Sequence, residues 1–181
     1  MLKVGFYFGS FNPIHKGHIR VIENAIKEKN LDRVVIVPTM HNPAKKKAPI
    51  DIDERIFLIR AALLLSGIKI NGKHIYKYCD VDDIEKKMIP PYYTYATLEA
   101  LKNKYYGNET YIICGHDTMD NISNWMNGGY IVGNNKFIVC ERTKESSTEV
   151  RQCVKDFNLN RLNELVPTWL IKRVINDYRD A

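Results

Sequence analysis

Apolar positions along the chain fall into two alternating rhythms. Val4-Gly5-Phe6-Tyr7-Phe8 is an uncharged run that predicts a buried strand. After a loop containing Gly and Pro, Ile19, Ile22 and Ile26 recur at helical spacing. Arg33 to Val37 predicts a second buried strand, stopped by Pro38. Asp51-Ile52-Asp53-Glu54 predicts a helix start of the capping-box type, with an apolar stretch from Ile56 to Leu65 behind it. A weaker strand is expected around Tyr76 to Val81, and Leu98, Leu101 and Tyr105 mark another helix. Thr110 to Cys114 and Lys136 to Cys140 predict two further buried strands. Val166-Pro167 opens a last helix with Leu170, Ile171, Val174, Ile175 and Tyr178 on one side.

Strands separated by helices imply β-α-β units with right-handed crossovers, hence a parallel sheet. Strands with few polar positions agree, because helices cover both faces of such a sheet. The expected fold is α/β: a Rossmann-like, doubly wound parallel sheet in a single domain over residues 1–181. The most polar interruption is the basic loop from His41 to Pro49. No run of eighteen apolar residues exists, so no membrane partner is expected. Met1-Leu2-Lys3-Val4 leads directly into the first strand without a leader pattern, which predicts a cytoplasmic protein. Cys79, Cys114, Cys140 and Cys153 have no C-x-x-C spacing and read as buried reduced thiols rather than a zinc site. The net charge of +6 suits a phosphate-rich ligand or nucleic acid, and equally a Lys- and Asn-rich composition.

The densest chemistry follows the first strand, in Gly9-Ser10-Phe11-Asn12-Pro13-Ile14-His15-Lys16-Gly17-His18. In an open parallel sheet, ligands bind at the carboxyl ends of the strands. A helix N-terminus there offers unpaired N–H groups and a positive dipole to phosphate. Gly9 lets backbone approach a ligand, and Gly17 leaves room for a phosphate or base at the helix start. His15 and His18, three apart, meet on one face of the first turn, where they can donate to an α-phosphate.

This segment resembles the signature G-[ST]-F-[DN]-P-x-H-x-G-H of the nucleotidyltransferase superfamily, and more narrowly the bacterial nicotinate-nucleotide adenylyltransferases. The resemblance covers nearly the whole chain. Asn42-Pro43-Ala44-Lys45 falls where that family carries a phosphate-binding loop, which implies that Lys45 contacts phosphate, and Arg55 fits the Arg that follows it. Tyr93-Thr94-Tyr95-Ala96-Thr97-Leu98 resembles the family's S-Y-T-x-x-T-L segment at a helix start. Its N–H groups suit a carboxylate or carboxamide, and Thr94 can equally serve as an ordinary N-cap. Gly115-His116-Asp117 resembles the family's G-x-D: Gly115 admits a nucleoside, and Asp117 can hold a ribose hydroxyl. Trp125 stands where a pyridine-stacking side chain is implied; core packing is the competing role. Ser146-Ser147-Thr148, with Arg151 three residues later, resembles a second signature that cradles β- and γ-phosphates. The chain departs from the family at Phe8, where a second Gly is usual, at Ala44, at Ala96 and at His116.

The resemblance implies adenylyl transfer from ATP to nicotinate mononucleotide, or to nicotinamide mononucleotide, with release of pyrophosphate. His15, His18 and Arg151 would be catalytic. Gly9, Ser10, Phe11, Gly17, Gly115, Asp117, Ser147 and Thr148 would bind ATP, and Lys45, Thr94 and Trp125 the mononucleotide. Mg²⁺ is expected to arrive with ATP, without a protein metal site. Nucleic acid is not expected as a partner; a homo-oligomer is left open. The alternatives are a pantetheine-phosphate adenylyltransferase, or a nucleotide-binding sensor without turnover. The Tyr93 segment and Trp125 speak against the first, and His15, His18 and Arg151 against the second.

Overall fold

The computed structural model describes residues 1–40, 48–141 and 143–179. β1 (Lys3–Gly9) leads through a loop into α1 (Lys16–Lys29), β2 (Arg33–Pro38) and α2 (Ile52–Leu65). A small antiparallel hairpin, β3 (Lys69–Ile70) with β4 (Lys73–His74), precedes a 3₁₀ turn at Ile75–Tyr78 and β5 (Cys79–Val81). A second 3₁₀ turn, Ile84–Lys87, leads to α3 (Thr94–Lys104) and β6 (Glu109–Gly115). Next come α4 (His116–Asn121), a 3₁₀ turn at Ile122–Asn124, α5 (Gly128–Gly133) and β7 (Lys136–Cys140). The described chain closes with α6 (Ser147–Lys155), α7 (Leu159–Leu165), a 3₁₀ turn at Thr168–Leu170 and α8 (Ile171–Tyr178).

The main sheet has the order β5-β2-β1-β6-β7, and every pairing in it is parallel. Alternation along the strands sends side chains to opposite faces. Tyr7, Val34, Ile36, Ile113 and Ile138 pack with apolar residues of α1, α2, α6, α7 and α8. Val4, Phe6, Val35, Val37 and Ile112 pack on the other face with Leu98 and Leu101 of α3, Ile122 and Ile131. Both faces are therefore covered, as expected for a doubly wound parallel sheet.

Three local expectations are corrected. The segment from Tyr76 is strand only at Cys79–Val81; Ile75 turns into the core through a 3₁₀ turn first. The last helix opens as a 3₁₀ turn after Pro167 and becomes α-helical at Ile171. The capping box at α2 is half formed. Asp51 caps, accepting from the Glu54 N–H at 2.8 Å, but the Glu54 carboxylate is drawn instead to Arg173 of α8, at 2.6 and 2.9 Å.

Candidate active site

β1 and β6 lie side by side, so the loops leaving their carboxyl ends share one edge of the sheet. At that edge His15 is the N-cap of α1, with extended backbone (φ −143°, ψ 170°). Its N–H donates to His18 Nδ1 at 3.2 Å, which puts the proton of a neutral His18 ring on Nε2. The two rings lie 3.7 Å apart between centroids, tilted by 30°, so the i, i+3 spacing brings them together as expected. His15 is only 4% exposed. Burial, reinforced by the Arg20 charge, lowers its pKa to about 4, so the ring is neutral near pH 7.

The second motif docks on the first. Arg151 Nη1 donates to the Asn12 carbonyl at 2.5 Å and its Nη2 to Thr148 Oγ1 at 3.1 Å. Ser147 Oγ donates to the Pro13 carbonyl at 2.8 Å. Ser146 is the N-cap of α6 and accepts from the Glu149 N–H at 3.1 Å. The guanidinium and the Ser147 hydroxyl thus dock on the loop that delivers His15, from more than 130 residues away in sequence, and Thr148 braces the same guanidinium.

Protein packing adds constraints of its own at several of these residues. Gly9 and Gly17 are both closely flanked by protein neighbours. A Cβ at Gly9 would stand 3.0 Å from the Phe11 ring; one at Gly17 would collide with Thr143 Oγ1 and lie 2.9 Å from His15 Nδ1. Phe11 turns its side chain inward, against Tyr7 and His18, with a left-handed backbone (φ 45°), and the residue is buried. Gly115 makes room for Asp117, whose Oδ1 would lie 2.8 Å from a Cβ there. Asp117 itself is exposed in the first turn of α4, at the end of β6. Thr94 is not an N-cap. It is the first helical residue of α3, behind Tyr93, which makes no side-chain cap bond. Trp125 follows from Asp117 by one short helix and a 3₁₀ turn, and at 38% exposure it is not a core residue. Lys45 and Ala44 lie outside the described residues.

Buried polar groups stand behind these residues, among them Arg55, which the resemblance marks without a partner. Arg55, from α2, donates to the carbonyls of Ser10 at 2.7 Å and Thr39 at 2.8 Å. Tyr178, from α8, is buried near Arg55 and Arg151; burial raises its pKa, and the two cations oppose the rise. Its hydroxyl has no partner among the described residues. Thr143 belongs to no motif, and Tyr178 was legible only as a member of the apolar face of the last helix, not as a neighbour of Arg55 and Arg151. Among the described residues no group of three or more His, Cys, Asp or Glu side chains could hold a metal ion. Nor is any described helix long and apolar enough to cross a membrane.

Residues 6–174 match the Cytidylyltransferase-like family. A protein of Flavobacterium johnsoniae, named a probable nicotinate-nucleotide adenylyltransferase, is 33% identical over 150 residues, covering 82% of this chain and 72% of that protein. One of the same name from Flavobacterium psychrophilum is 34% identical over 142 residues, covering 78% and 68%. In fold, the chain is similar to the nicotinic acid mononucleotide adenylyltransferase of Plasmodium falciparum, solved with NaAD. That match has a TM-score of 0.76 at 18% identity, over 97% of this chain and 96% of that one. With both signatures joined at one sheet edge and these relatives spanning most of its length, the chain belongs to the Cytidylyltransferase-like family and, within it, to the nicotinate-nucleotide adenylyltransferases.

Proposed function

We propose that this chain, working as one nucleotidyltransferase domain over residues 1–181, transfers the adenylyl group of ATP to nicotinate mononucleotide. The observation that carries this reading is the docking of Ser147 and Arg151 on the Asn12-Pro13 loop beside the paired His15 and His18 rings, with Thr148 bonded to the same guanidinium. A 5′-phosphate oxygen of the mononucleotide attacks the α-phosphorus of ATP. A P–O–P bond forms, the α–β bridging bond breaks, and pyrophosphate leaves with the electron pair. That phosphate is already ionised near neutral pH, so no general base or protein nucleophile is needed. Catalysis is then in-line positioning and stabilisation of charge at the α-phosphorus.

His18, with its proton held on Nε2, and the neutral His15 ring donate toward the ATP phosphates. Arg151 holds the β/γ end with Ser147 and Thr148. Asp117 takes a ribose hydroxyl, and Gly9, Ser10, Phe11, Gly17 and Gly115 supply backbone and clearance around ATP. Thr94, Trp125 and Lys45 serve the mononucleotide. The polar groups at this edge are imidazoles, hydroxyls and a guanidinium, and no group of carboxylates is gathered among the described residues, which fits a cation that arrives with the triphosphate. We take it to be Mg²⁺, which would supply positive charge to offset that of the pyrophosphate leaving group. A cytoplasmic location is consistent with ATP and a pyridine nucleotide as substrates.

The deciding experiment supplies the protein with Mg²⁺–ATP and, separately, nicotinate mononucleotide, nicotinamide mononucleotide or phosphopantetheine, and measures pyrophosphate. Release with nicotinate mononucleotide and none with phosphopantetheine is the expected outcome. Turnover of phosphopantetheine alone, or of none of the three, overturns the proposal.

A further inference from the structure

Met40, two residues beyond β2, is held on both sides by buried charge. Its N–H donates to Glu85 Oε2 at 2.7 Å, and its carbonyl accepts from Arg55 Nη2 at 3.5 Å. The same guanidinium holds the Thr39 and Ser10 carbonyls. The second oxygen of Glu85 accepts from Thr97 Oγ1, one turn into α3, at 3.0 Å. Arg55 and Glu85 are each 2% exposed, and Thr97 is fully buried. An unbroken chain of bonds therefore runs from Ser10, in the loop after β1, through Arg55, Met40 and Glu85 to the first turn of α3.

Apolar side chains would fill this space at lower cost, since a buried charge must be matched by well-placed dipoles. Burial does penalise the ionised forms of both groups. It lowers the pKa of Arg55 and raises that of Glu85, the latter opposed by the Met40 N–H, the Thr97 hydroxyl and the Arg55 charge. β1 and β2 are paired up to Gly9 and Pro38, and the Thr39 N–H donates to the Gly9 carbonyl at 2.9 Å; what the charged hydrogen bonds add is fixed geometry between that paired edge and α3, which belongs to no strand.

We propose that Glu85 is a positioning residue of the transfer reaction: acting with Arg55 and Thr97, it sets the spacing between the ATP-binding loop at Ser10 and the acceptor-binding start of α3. The proposal rests on the assignment of substrates made above. In-line transfer depends on the separation of the acceptor oxygen from the α-phosphorus, and a displacement of about 1 Å can cost on the order of a hundredfold in rate.

Glu85→Ala breaks both of its bonds, Thr97→Val removes only the link to α3, and Thr97→Ser keeps the hydroxyl. Steady-state kinetics with ATP and nicotinate mononucleotide would be combined with calorimetric binding of each substrate alone. Glu85→Ala should raise the KM for the mononucleotide about tenfold and lower kcat/KM by about ten- to a hundredfold, with ATP affinity changed by less than about threefold. Thr97→Val should show a smaller loss in the same direction, and Thr97→Ser should restore it. The double variant Glu85→Ala/Thr97→Val should be no worse than Glu85→Ala, because the two act through one link. If Glu85→Ala does not fold, Thr97→Val against Thr97→Ser decides alone. Variants with a lowered Tm but kinetics within about twofold of the parent would overturn the positioning role while leaving the proposed function intact. A parent protein that binds neither substrate and releases no pyrophosphate would instead sink the proposed function, and this inference with it.

Discussion

At His15, burial decides the charge state and hence the direction of a measurable effect. Its folded pKa is about 4, against 6.5 for an ordinary His. Above pH 6.5 neither the folded nor the unfolded ring is protonated, so its contribution is constant. As pH falls from 6.5 toward 4, the unfolded chain takes up a proton that the folded chain refuses, and stability declines. The loss is bounded by about 1.4 kcal/mol per pH unit, or about 3 kcal/mol in all. Urea midpoints between pH 7 and 4 should therefore fall more steeply for the parent than for His15→Asn, and parallel curves would refute the shift. In the proposed role of His18, His18→Ala removes an N–H that donates to developing charge, for which a loss of about 10²–10³ in kcat is expected. It also removes the acceptor for the His15 N–H, worth about 1 kcal/mol of stability. A variant that keeps its kcat yet loses that stability would show His18 to be a cap only. Both His residues were legible because their spacing on a helix fixes their contact. Glu85 was not, because its partners Met40 and Thr97 meet it only in the folded chain.

Among elements, those with long apolar runs or several turns of helical period were legible, and the short ones were not. β1, β2, β6 and β7 match their expected runs within two residues. α4 and α5 have six residues each and α7 has seven, too few turns for a period to stand out. Tyr76 and Tyr78 alternate as a strand would, but Ile75 is wholly buried and the chain is 3₁₀ there. α2 combines a legible start with an illegible purpose. Asp51 marks its N-terminus, while Arg55, in its first turn and a half, braces the loop after β1. Asp51→Ala should cost about 1 kcal/mol, read as a lower urea midpoint. An unchanged midpoint would mean that the bridge from Glu54 to Arg173 alone holds that end of the helix.

For the whole molecule, the alternation of strands and helices carried the fold class, but strand order came only from the folded chain. β1 lies at the centre, between β2 and β6. Its β6 neighbour ends roughly a hundred residues after it, and the last helix of the covering layer ends at Tyr178. At a synthesis rate of about 5–20 residues per second, the nascent chain carries β1 for about 5–20 s before β6 has been made. Through that interval one side of an apolar strand is an unpaired edge, open to other nascent chains. The same central placement that later buries Val4 and Phe6 on one face makes nascent β1 a segment that a chaperone would shield until β6 emerges.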